Sequence, residues 1–174
     1  MTTLKELTWD AHKRAEQTNI MFALLTDQIS SCLYCDLLYT KYEIYRAIED
    51  KVTFNNKELY RAQATLNDWQ TLKCSLPRCM ESLDKYVSHL RSCDTEQIWG
   101  HVYVHYLAPL YGGQIIKKKI EHRLPVTLYE FKDPGAAIAE VRSHLGIHLV
   151  EEANLAFESV ITYYQDLWEQ HHPS

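Results

Sequence analysis

"HYLAPLYGGQ", residues 105–114, sets Pro109 shortly before two adjacent glycines, Gly112 and Gly113, while the flanks "QIWGHVYV" (97–104) and "IIKKKIEH" (115–122) both have helical periodicity. Proline removes a backbone donor, and each glycine costs about 1 kcal/mol relative to alanine in a helix interior. Three such residues within two turns indicate that the backbone itself has to come close to something. On a continuous helix His105, Pro109, Gly112 and Gly113 share one face, and bare backbone at the two glycines lets a planar ligand lie against it. Close helix packing, or a helix C-cap, is the alternative use of the same residues.

Outward from this stretch the chain reads as helix throughout. Glycine and proline are scarce, five of each in 174 residues, and apolar residues recur at three- and four-residue spacing. The pattern predicts helices at 3–18, 19–27, 30–51, 59–73, 78–92, 94–122, 134–145 and 147–170. Breaks fall near "TFNN", "SLP", "SCDT", "HRLPVTLYEFKDPG" and Gly146. With no strand pair, internal repeat or low-complexity tract, the expectation is one all-α domain over residues 1–174, its last helix docked on the body.

Composition narrows the function classes. The 18 Lys+Arg against 23 Asp+Glu leave a net charge of -5, which argues against nucleic acid as the partner. No run of about 18 apolar residues suggests a membrane span. The amino end, "MTTLKELTWDAHKRAEQ", is amphipathic rather than a leader, so a cytoplasmic location is expected. No large apolar face is left over once the helical stripes are assigned to a core, which predicts a monomer. Five cysteines without a secretory signal predict buried free thiols rather than a disulfide framework, and "CLYC" (32–35) has no second pair at that spacing. The 12 tyrosines predict a cavity in need of hydroxyl groups.

Chemistry enters with the amino-terminal helix. Lys5, His12 and Glu16 fall on one face, and Glu16 lies one turn beyond His12, where it orients the imidazole as an iron or zinc ligand requires. An incidental His–Glu pair has the same spacing, so this helix alone carries no function. Beside the glycine stretch, however, it sketches a slot with a metal ligand on one wall and bare backbone on the other.

At this point the sequence resembles the haem oxygenases over nearly its whole length. "LKELTWDAHKRAE" is similar to their proximal helix, "YEIYRAIE" to a tyrosine-rich second segment, "KYVSHL" and "YVHYLAPLYGGQIIKK" to the run into the distal helix, and "VEEANLAF" to the final helix. The resemblance implies an all-α fold with haem slotted between a proximal amino-terminal helix and a kinked, glycine-containing distal helix. It makes His12 the axial iron ligand and Glu16 its hydrogen-bonding partner. It assigns Lys5, Tyr103 and Arg142 to the haem propionates, and Gly112 and Gly113 to the distal wall. Tyr45 joins the distal water network. The implied activity is that of a monooxygenase that opens haem to biliverdin, CO and ferrous iron. Haem is then both cofactor and substrate, and O2 is activated on its iron. Electrons come from a ferredoxin-like protein or a flavoprotein, and a bilin reductase acts downstream.

The departures from the family fall where the reaction is run. Ala108 and Pro109 stand where the family pattern has Gly then Asp, His105 where it has Arg, and Ile138 where a second propionate lysine is expected. That Asp holds proton-delivering waters. The expected substitute is the His105 carbonyl, which Pro109 cannot engage, acting with the His105 side chain and Tyr45 to hold them. A kink that merely clears the haem is the competing use of Pro109. Two other functions compete: a haem-binding protein without degradation activity, prompted by Pro109, and a non-haem di-iron oxidase, prompted by Glu140, His144 and His148 in "EVRSHLGIH".

Overall fold

The structure, a computed structural model, describes residues 1–173. The helices are α1 (Leu4–Leu7), α2 (Trp9–Glu16), α3 (Asn19–Leu25), α4 (Ser31–Glu49), α5 (Ala62–Thr71), α6 (Glu81–Ser92), α7 (Ile98–Leu107), α8 (Gly112–Ile120), α9 (Pro134–Arg142) and α10 (Val150–His171). Three single 3-10 turns join them, and no strand occurs among the described residues. The all-α expectation holds, and the carboxy-terminal helix docks as foreseen: α10 packs on α2, α3, α4, α6 and α7.

Local chemistry explains the ends. Thr3 and Glu6 form a reciprocal capping box on α1, Ser30 caps α4 by accepting from the Leu33 amide at 3.1 Å, and Asp133 caps α9 with Pro134 at its first position. Leu33, Leu37, Leu38, Ile44 and Ile48 of α4 are at most 1% exposed, at the spacing that makes one apolar stripe.

Two predicted helices prove to be four. The one expected over 3–18 breaks at Thr8, whose hydroxyl donates to the Leu4 carbonyl at 2.9 Å. The one expected over 94–122 starts only at Ile98 and stops at Leu107. Residues 108–111 form turns before α8 begins at Gly112. Pro109 therefore does more than kink a helix: it lies in a full interruption. Gln114 closes the gap by donating from Nε2 to the Pro109 carbonyl at 2.8 Å and to the Tyr129 carbonyl at 2.7 Å.

The segment after α8 is irregular but anchored by buried charge. Asp68 accepts from the amides of Thr127 and Leu128, and the Arg61 guanidinium donates to the carbonyls of Leu128, Glu130 and Glu58 while lying over the Phe131 ring at 4.2 Å. Glu49 accepts from the amides of Arg61 and Ala62, which start α5. These contacts satisfy the buried groups and tie the loop to α5 and the residues before it.

The cysteine expectation is corrected. Cys35 and Cys74 form a disulfide between α4 and the loop after α5, Cys32 and Cys79 are exposed, and only Cys93 is a buried thiol. The helical frame brings positions 39 residues apart to a Cα separation of 5.8 Å, which suits a disulfide. Several of the tyrosines serve the core. Their hydroxyls tie core elements together, Tyr34 to the Pro125 carbonyl, Tyr106 to Glu49 and Tyr164 to Lys41.

Candidate functional site

The proximal residues assemble around α2. His12 Nε2 lies 2.9 Å from Glu16 Oε1, one helical turn on, a contact that orients the imidazole. The imidazole is 34% exposed, stacked on Phe157 of α10 at 5.1 Å with the ring of Trp9 at its edge. Lys5 Nζ lies 5.8 Å over that Trp9 ring. Tyr103 of α7 meets Phe157 edge-on and shares a hydrogen bond with Thr8 at 3.4 Å. Lys5, His12, Glu16 and Tyr103 thus lie along one continuous aromatic run.

The distal residues form a second group at the α7–α8 interruption. Tyr45 donates its hydroxyl to the His105 carbonyl at 3.2 Å. The carbonyl left without a backbone partner by Pro109 is therefore taken by a protein hydroxyl, where the sequence had predicted water. The His105 imidazole turns inward: Nε2 is 2.8 Å from the Tyr86 hydroxyl, which is 2.7 Å from His101 Nδ1. His101 Nε2 in turn donates to Glu152 at 2.7 Å. Burial holds the His105 imidazole well below its ordinary pKa and pulls His101 down to about 4, although the Glu152 hydrogen bond opposes the latter shift. Both histidines are neutral at pH 7.

The two glycines, alike in sequence, have different surroundings. A Cβ on Gly113 would stand 2.7 Å from Tyr129 Cδ1, so this glycine serves close packing. A Cβ on Gly112 would meet nothing within 4 Å. Only Gly112 presents the open backbone expected of both. Arg142 donates to the hydroxyl of neighbouring Tyr111 at 2.6 Å, and Ala108 is exposed, its carbonyl accepting from Gly113 at 2.8 Å.

These features fit a haem. A half-exposed imidazole oriented by a carboxylate has the form of an axial ligand. Gly112 leaves the room a flat ring needs. Lys5 and Arg142 are exposed cations with aromatic neighbours and no carboxylate partner among the described residues, which suits two propionates. The di-iron set does not assemble. Glu140 accepts from the amides of Asn55 and Asn56, His144 stacks on Trp99 at 3.8 Å, and His148 pairs with Glu96.

Sequence reading missed Tyr86, His101 and Glu152. The signal available was His101 and His105 at i and i+4 on one face of α7. A separate concavity of about 440 Å³ lies between α4 and α6, lined by Tyr39, Glu43, Arg78, Met80 and Leu83, and holds none of the predicted residues.

The family described as Heme oxygenase matches residues 1–166. Heme oxygenase 2 of Rattus norvegicus is 27% identical over 94% of this chain, and heme oxygenase of Rhodella violacea is 25% identical over 94% of this chain and 85% of its own length. The chain spans 64% of the length of the rat relative. Among solved structures, heme oxygenase-1 from the cyanobacterium Synechocystis in complex with heme superposes with a TM-score of 0.82 at 25% identity, covering 94% of this chain and 90% of that one. Heme oxygenase from Leptospira interrogans superposes with a TM-score of 0.81 at 23% identity, covering 94% and 97%.

Proposed function

The chain belongs to the heme oxygenase family, and on that premise we propose that it is a monooxygenase converting haem to biliverdin, CO and ferrous iron with O2 and an external electron donor. The reading rests on an oriented, half-exposed His12 on α2 together with open backbone at Gly112 at the start of α8. Bound haem supplies the iron on which O2 is activated and the ring that is opened. The chain's own residues do the rest. Glu16 would orient the His12 imidazole toward the iron of a bound haem. Lys5, Arg142 and Tyr103 would hold the propionates of a bound haem. Tyr45 holds the His105 carbonyl, and with it the shape of the interruption at Ala108 and Pro109, which would face a bound haem.

The same reading takes residues 1–174 as one domain that acts as a monomer. It draws electrons from a ferredoxin-like protein or a flavoprotein and passes biliverdin to a bilin reductase. Among the described residues no helix is long and apolar enough to cross a membrane, and the same reading places the chain in the cytoplasm. The Cys35–Cys74 disulfide pulls the other way, because disulfides persist in oxidising compartments.

A second reading, haem binding without degradation, draws on the turn itself. Pro109 is buried, "APLY" offers no acid, and the His105 imidazole points to Tyr86. Purified protein mixed with haemin, then reduced in air, separates the two. Conversion to biliverdin supports the enzyme; a Soret band that survives reductant and O2 supports the binder; no Soret band refutes both.

A further inference from the structure

Away from the haem residues, three helices bring four ligand-type side chains to one point. His89 and Cys93 lie at i and i+4, on the last turn of α6 and its C-cap. His101 lies in α7, and Glu152 in the first turn of α10. Glu152 Oε2 accepts from His89 Nε2 at 2.8 Å and from His101 Nε2 at 2.7 Å, and Cys93 Sγ is 4.0 Å from the same oxygen. All four donor atoms lie within 4.8 Å of one another. The meeting depends on Gly100. A Cβ there would stand 2.7 Å from Glu152 Cβ and 3.0 Å from the Ala153 amide nitrogen, forcing α10 off α7. His101 is fully buried and Cys93 nearly so, while the His89 side chain is 32% exposed and gives an ion a way in.

We propose that this cluster is a binding site for a zinc-class divalent cation, held by His89 Nε2, Cys93 Sγ, His101 Nε2 and one Glu152 carboxylate oxygen. Two imidazoles, a thiolate and a carboxylate make a four-coordinate set of the kind that zinc takes. Bond lengths of about 2.0–2.3 Å place tetrahedral ligand atoms about 3.3–3.7 Å apart. The cluster reaches this by spreading its His–Glu contacts slightly and drawing Cys93 inward. The charges cancel: the cation balances one thiolate and one carboxylate, and both imidazoles stay neutral, so the buried site carries no net charge. Cys93 gives up its proton to solvent on binding.

His101 also has the supporting contact that metal-bound histidines use. With Nε2 given to the cation, its proton sits on Nδ1 and is donated to the Tyr86 oxygen, and the Tyr86 hydroxyl then donates to His105 Nε2. Occupancy of this site therefore sets the tautomer of His105, beside the proposed haem face. The site itself stands without haem.

The test uses the full haem-free chain, stripped with chelator, with zinc measured by competition against a chromophoric chelator and cobalt(II) as the spectroscopic probe. The expected result is one equivalent bound and a tetrahedral cobalt spectrum with a thiolate-to-cobalt charge-transfer band. Cys93→Ser should abolish that band and weaken zinc binding at least ~10-fold. The double variant Cys32→Ser, Cys79→Ser should change neither, and His12→Ala should also leave both intact. Glu152→Gln keeps the side-chain shape and removes the anion, so it too should weaken zinc at least ~10-fold, with circular dichroism confirming the fold. A charge-transfer band that survives Cys93→Ser, or zinc binding unchanged in both cluster variants, overturns the proposal and leaves a hydrogen-bonded network only.

Discussion

Placing alanine at Gly112 and at Gly113 in turn should shift stability in opposite directions, although the two residues are neighbours at the start of the same helix. At Gly113 the new Cβ meets Tyr129 Cδ1 at 2.7 Å, Tyr129 Cε1 at 3.0 Å and the Ala108 carbonyl oxygen at 3.1 Å. Tyr129 is 3% exposed and its carbonyl is held by Gln114, so the ring has little room to withdraw. Overpacking of this kind costs about 1–3 kcal/mol, against which the entropic gain of Gly→Ala returns about 0.4–1 kcal/mol. The net is a loss of about 1–2 kcal/mol. At Gly112 nothing lies within 4 Å and φ is not positive, so only the gain of about 0.4–1 kcal/mol remains. For a chain of this size 1 kcal/mol moves Tm by about 2–4 °C. Thermal unfolding of the haem-free chain should thus show Gly113→Ala melting about 2–8 °C lower and Gly112→Ala about 1–4 °C higher. A bulkier change, Gly112→Leu, should leave the fold intact and weaken haemin binding at least ~10-fold, because it fills the space a flat ring needs. Equal losses of stability at the two positions would refute the difference in their surroundings. Unchanged haemin binding by Gly112→Leu would refute the placement of haem over Gly112.

Four further outcomes follow from other contacts. His12→Ala should remove the histidine-ligated ferric spectrum of the haemin complex, with added imidazole restoring it; an unaltered spectrum removes His12 as the ligand. Tyr45→Phe should cost about 1–3 kcal/mol by stranding the His105 carbonyl, and less in a Pro109→Ala background where residue 109 regains an amide donor, so an additive double-mutant cycle refutes the link. The folded state holds His105 well below the ordinary imidazole pKa of about 6.5, so the unfolded chain binds a proton that the folded chain refuses. Stability should therefore be full above pH of about 6.5 and fall as pH drops, and denaturant titrations should show a shallower fall for His105→Gln. Reducing the Cys35–Cys74 disulfide, which spans 39 residues, should cost about 4 kcal/mol in denaturant unfolding, and a loss below about 1 kcal/mol contradicts the loop-closure estimate.

Features set by neighbours within one helical turn were legible in the chain alone. The His12–Glu16 pair, the cap at Asp133 with Pro134, and the apolar stripe of α4 all follow from 3.6-residue geometry, which needs no knowledge of what the helix packs against. The all-α class, and the family resemblance carried by segments such as "LKELTWDAHKRAE" and "YVHYLAPLYGGQIIKK", come from the same kind of information. Everything that depends on which helix faces which was closed to that reading. Gly112 and Gly113 are identical as letters and differ only because Tyr129, from a loop beyond α8, packs on one of them. Pro109 announces a carbonyl in need of a donor, but only the approach of α4 to α7 decides that Tyr45 supplies it. Cys35 and Cys74 pair because α4 and α5 pack side by side, and an odd cysteine count pointed the other way. His89, Cys93, His101 and Glu152 come from three helices and meet because Gly100 lets two of them touch. Periodicity describes one helix at a time, whereas a buried polar cluster is a property of several helices packed at once.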